Sequence, residues 1–164
     1  MTRDVILLRL ACSQVNQQLL SGDVIVRSYE VTRDIAAAPE TVWAILTDAG
    51  RLQNGGFGIT RIVGQIVPNG RFRLWSDAAP GPAFHLRVTA FDPPRRMVWT
   101  GGMPLGLFTG VRSFTLAPIG NHTRLTVRED FTGLLLGLIW RSMPDLQPSF
   151  TTFGDAAKKQ AEAM

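Results

Sequence analysis

Residues 111–131 read Val-Arg-Ser-Phe-Thr-Leu-Ala-Pro-Ile-Gly-Asn-His-Thr-Arg-Leu-Thr-Val-Arg-Glu-Asp-Phe, and this stretch decides the fold. Apolar and polar side chains alternate on both sides of Gly120-Asn121, a dipeptide that accepts the left-handed conformations of a tight hairpin turn. A two-residue loop there sets Leu116 opposite Leu125, Phe114 opposite Val127 and Arg112 opposite Glu129. Three pairs agree on one register, so one face of the hairpin is predicted to be apolar and to carry a charged pair at one end.

Upstream the same period of two recurs. Tyr29, Val31 and Ile35 alternate with polar residues in a first strand. Pro39 then opens a short helix with Val42, Ile45 and Leu46 on its apolar face, ending near Asp48, and Asn54 to Gly58 is glycine-rich enough to be a loop. Strands around Ile62–Ile66 and Phe72–Ser76 are joined by Pro68-Asn69-Gly70, a turn that places Ile66 opposite Phe72. Phe84, Leu86, Val88 and Ala90 mark a fourth strand, with His85, Arg87 and Thr89 on its other face, and Met97 to Gly101 a fifth. Gly101 to Gly110 reads as a loop offering Met103, Leu105, Leu107 and Phe108 as gating side chains.

Downstream of the hairpin the period becomes helical. Leu134 to Met143 provides two turns before Pro144 and Pro148, and Leu146, Phe150, Phe153, Ala157 and Ala161 step along one face of a final helix. Asp155, Lys158, Lys159 and Glu162 occupy its outer face. At the other end Val5, Leu8, Cys12, Val15 and Leu19 form a helical stripe that Ser21-Gly22 stops. The chain therefore divides into an N-terminal helical extension, residues 1–22, and one α+β domain, residues 23–164. The order is strand, helix, six strands, helix.

Several pieces of this order resemble the START-like superfamily of polyketide cyclases/dehydrases and lipid-transfer domains. They are Ile35-Ala-Ala-Ala-Pro-Glu-Thr-Val-Trp43 with Leu46-Thr-Asp48, Phe91-Asp-Pro-Pro-Arg-Arg-Met-Val-Trp99, Arg112 to Pro118, Thr123 to Glu129, and Phe131-Thr-Gly133. Where that family usually carries an aromatic residue after the first helix, this chain has Gln53-Asn54-Gly55-Gly56. The resemblance implies a helix-grip fold, with a seven-stranded curved antiparallel sheet around a long C-terminal helix. It also implies a cavity between the two that takes a small apolar molecule such as a lipid, polyketide or aromatic. It does not imply one reaction, because this architecture hosts binders and enzymes alike.

Composition narrows the classes further. A net charge of +4 is spread along the chain as arginines, with lysine only at Lys158 and Lys159. Arg71/Arg73 and Arg95/Arg96 are the nearest approach to a basic stripe, so no nucleic-acid partner is expected. The apolar runs Val5–Leu10 and Leu134–Trp140 are too short to cross a bilayer, so no integral membrane association is expected. A lone Cys12 and the lack of ligand spacing among Cys and His point to a cytoplasmic protein without a metal site or cofactor.

Arg112 and Glu129 share the apolar face, so both are expected to look into the cavity as a desolvated pair. There they either present a polar end to a ligand or close the sheet structurally. They are also the weak candidates for catalysis, although a neighbouring guanidinium favours the charged carboxylate and works against a general base. Phe84, Leu86, Val88, Trp99, Phe108, Phe114, Val127, Trp140, Met143, Phe150 and Phe153 are the expected ligand-binding walls. His122 lies beside a turn and His85 on the outer face, and no nucleophile elbow or phosphate loop is present. Binding or carriage of a hydrophobic ligand is the leading expectation, with a polyketide cyclase/dehydrase-like enzyme next. A chaperone-associated or other interaction module, with residues 1–22 mediating a homodimer, is the third.

Overall fold

Period-two alternation yields seven strands: β1 (Arg27–Ile35), β2 (Ile59–Gly64), β3 (Arg71–Ser76), β4 (Phe84–Asp92), β5 (Arg96–Gly102), β6 (Thr109–Ile119) and β7 (His122–Thr132). Helices α1 (Pro39–Leu46) and α2 (Ala49–Asn54) follow β1, and α3 (Leu136–Ser142) and α4 (Gln147–Glu162) close the chain. The computed structural model describes residues 25–164, so the helix expected over residues 1–22, with Cys12, lies outside the described residues. All pairings are antiparallel in the order β1-β7-β6-β5-β4-β3-β2. This is the helix-grip α+β arrangement. No described helix is long and apolar enough to cross a membrane.

The β6–β7 hairpin has the expected register, with Arg112 on Glu129, Phe114 on Val127 and Leu116 on Leu125. β5 and β1 extend this face on either side, because Trp99 pairs with Arg112 and Tyr29 with Glu129. Concave residues thus run in transverse rows, and α4 lies against them. Phe150, Phe153, Ala157 and Ala161 of α4 are buried. Close approach of α4 to β1 depends on Gly154, where a Cβ would stand 3.1 Å from Val31 and 3.2 Å from Arg33.

Four local readings differ from the sequence expectation. In the β2–β3 hairpin Gly64, not Ile66, pairs with Phe72. A Cβ at Gly64 would sit 2.9 Å from Phe72, so the strand ends at this glycine, and Ile66 leaves it to bury its side chain from the connecting loop. The slip is by two residues and preserves the faces. In β4 a bulge between Val88 and Ala90 sets Ala90 opposite Val98 and Phe91 opposite Met97, moving the inward role from Ala90 to Phe91, which packs edge-on against Trp43 at 5.0 Å.

The helix expected to end near Asp48 is followed by α2, which Asp48 caps by accepting a 3.0 Å hydrogen bond from the Arg51 amide. The fifth strand runs one residue past its expected end at Gly101, and Gly110, read as loop, is a strand residue paired with Gly101, so the loop shrinks to residues 103–108.

Candidate functional site

The concave face and α4 do not meet everywhere. Between them lies a cavity of about 470 Å³. Its origin is visible in one row of the sheet, where Gly101 and Gly110 pair at the centre. The two central strands therefore project no side chain where their neighbours project Leu86 and Phe131. A Cβ on Gly101 would come within 2.6 Å of Leu86 Cδ2 and 2.8 Å of the His85 carbonyl, and one on Gly110 within 3.0 Å of Glu129 Oε1.

Arg112 and Glu129 occupy the next row. Arg112 Nε and Nη2 donate to Glu129 Oε2 at 2.9 and 2.6 Å, and the side chains are 24 % and 15 % exposed. The guanidinium also lies 4.8 Å over the Phe150 ring of α4, which fixes its plane. Both bonds end on one carboxylate oxygen. Among the described residues, Arg112 Nη1 and Glu129 Oε1 make no side-chain hydrogen bond, so the pair retains a donor and an acceptor at the cavity wall.

Ten of the thirteen expected wall residues line this cavity: Arg112, Glu129, Phe84, Leu86, Trp99, Phe108, Val127, Met143, Phe150 and Phe153. Val88, Phe114 and Trp140 do not. Val88 and Phe114 are fully buried in the core, where Phe114 meets Trp99 at 4.5 Å and Phe153 at 5.8 Å. Trp140 stacks on Tyr29 at 5.4 Å under the Arg27 guanidinium, on a helix whose Ile139 and Ser142 do line the cavity.

Sequence reasoning also missed the two glycines and Phe131. Phe131 shares the parity of Glu129, so continuing the strand pattern by one step finds it. Trp99 is buried and its indole N–H has no oxygen or nitrogen acceptor among the described residues; the ring stands edge-on to Phe72 at 5.1 Å and 76°. His85 pairs with Arg73, which puts it on the outer face, though it borders the cavity rim as well.

Chemically the site is an aromatic and aliphatic chamber with one ion pair in its wall. Among the described residues no group of three or more His, Cys, Asp or Glu side chains is disposed to hold a metal ion. Of the expected gating side chains Met103 and Phe108 line the cavity and Leu105 and Leu107 do not; Leu105, at φ 58°, is 95 % exposed at the tip of the 103–108 loop. The Leu135 amide donates to the Leu107 carbonyl at 2.9 Å and ties that loop to the start of α3.

A family described as polyketide cyclase/dehydrase and lipid transport matches residues 27–159. No curated protein matches the chain. Among solved structures, an aromatase/cyclase from Streptomyces superposes with a TM-score of 0.66 at 17% identity, over 84% of this chain and 94% of that one. The di-domain aromatase/cyclase of the steffimycin biosynthetic pathway gives 0.66 at 18% identity over 85% of this chain, which spans only 52% of that protein. Norcoclaurine synthase from Thalictrum flavum, in complex with dopamine and hydroxybenzaldehyde, gives 0.60 at 14% identity over 83% of this chain and 86% of its own.

Proposed function

The chain belongs to the polyketide cyclase/dehydrase and lipid-transport family, and from that premise we propose that its cavity takes up a small, mostly apolar molecule and holds one polar end of it against the Arg112–Glu129 pair. The observation that carries this reading is the pair itself. Partly desolvated charges among aromatic walls are costly, and here each keeps one uncommitted hydrogen-bonding atom beside the cavity. A hydroxyl can donate to Glu129 Oε1 while a carbonyl accepts from Arg112 Nη1. Aromatic or polyketide-like molecules bearing oxygen suit such a wall better than plain hydrocarbons do.

The volume of about 470 Å³ lies within the range of small-molecule sites. A ligand of about 25 heavy atoms at roughly 0.3 kcal/mol per atom gains about 7–8 kcal/mol, a micromolar affinity. Native mass spectrometry of the purified protein should find a non-covalent adduct. Titration with a hydroxylated aromatic ketone should show binding that Arg112→Ala weakens roughly tenfold, with little change for the parent hydrocarbon. No binding of either compound, with the fold intact, would refute the proposal.

A second reading follows from Glu129 Oε1, which is free to accept a proton from a bound substrate. It makes the chain a cyclase/dehydrase-like enzyme. Turnover of a polyketide-like substrate that disappears in Glu129→Gln while binding persists supports it, and an unchanged rate removes it.

A further inference from the structure

The outer face of the sheet treats its arginines in two ways. On β7, Arg124 stands opposite Asp34 of β1 and Arg128 opposite Glu30, and both arginines form ion pairs with those acids, at 2.8 and 3.3 Å. Three and four strands away, on β4 and β3, the arrangement reverses. Arg71 of β3 stands directly opposite Arg87 of β4, and Arg73 directly opposite His85. Arg61 of β2 and Arg73 flank the Trp75 ring at 5.2 and 5.7 Å. Among the described residues Arg61, Arg71, Arg73 and Arg87 have no acidic partner within 4.0 Å.

Like charges directly opposite on a sheet repel, and nothing in the core requires these exposed side chains to be cationic. An open groove of about 430 Å³ lies over three of the four, Arg71, Arg73 and Arg87, and is bordered also by Val63, His85 and Thr100. We propose that this groove on the outer face of β2–β4 is a binding site for a small molecule carrying two or more phosphate groups. Guanidinium forks match phosphate oxygens bidentately, and an anion between Arg71 and Arg87 converts repulsion into two attractions.

Other occupants fit less well. A single-stranded nucleic acid needs an open aromatic face for stacking, and Trp75 already has Arg61 and Arg73 over its ring. A membrane surface calls for apolar side chains beside the cations, and of the groove residues Phe72 and Leu86 belong to the concave face, leaving Val63. The groove opens on the outer face of the sheet and the cavity on the inner one, with His85 and Leu86 bordering both. The site stands independently of the function proposed above.

Calorimetric titration of the full chain with sodium tripolyphosphate tests it, with sulfate at matched ionic strength as control. One saturable site is expected, weakened roughly tenfold or more in Arg71→Ala/Arg87→Ala and unchanged in Arg124→Ala. Because the double substitution removes repulsion, its thermal midpoint should not fall, which separates lost binding from lost fold. Absent tripolyphosphate binding, equal binding by the double variant, or binding of anionic vesicles or oligonucleotides without tripolyphosphate would overturn the proposal.

Discussion

Arg112 and Glu129 could be placed from sequence because the turn between them fixes the register, and parity then fixes the face. Their energetics belong to the pair rather than to either residue. Arg112→Ala strands a carboxylate that is only 15 % exposed, and should cost about 2 kcal/mol in denaturant unfolding. Arg112→Met/Glu129→Leu, which removes both charges and keeps the volume, should cost less than the single change. If the two costs simply add, the ion pair is not the unit. Gly101 and Gly110 show the converse. Their effect is the absence of a side chain, and glycine in a sequence signals a turn as readily as a strand position where space is left open.

Among elements, β6, β7 and α4 were legible because each carries several independent apolar repeats. α2 was not, since a six-residue helix depends on the Asp48 cap more than on periodicity. The bulge in β4 shifts the pattern by one residue without any composition cue, and so Ala90 and Phe91 exchange faces. The β1–β7 edge yields a pH prediction. The hydrogen bond from Arg124 holds the Asp34 carboxyl below its ordinary value of 3.8. A depressed carboxyl stabilises the fold above its unfolded value and loses that contribution as pH falls through the folded one. Arg124→Ala should therefore lower the thermal midpoint slightly at neutral pH, and the gap to the unsubstituted protein should close below pH 3.8. A gap that persists in acid would show that Arg124 acts through packing instead.

At the scale of the molecule, the fold and most of the sheet's inner face were readable, because burial imposes alternation along each strand and only local bulges interrupt it. The cavity's outline was only partly so. Where α4 stops filling the sheet depends on how rows from six strands line up with Phe150 and Phe153, and no single segment encodes that. The basic outer groove was equally hidden: Arg71 and Arg73 stand together in the sequence, but Arg87 joins them only through strand pairing.

The chamber of about 470 Å³ between sheet and helix also bears on how the molecule answers hydrostatic pressure. Unfolding eliminates internal void, so compression favours the unfolded chain in proportion to the space the native state keeps open, commonly by about 20 to 100 mL/mol. An occupant that replaces the void with its own atoms should shift the transition upward, so high-pressure fluorescence of the four tryptophans would read how full the chamber is.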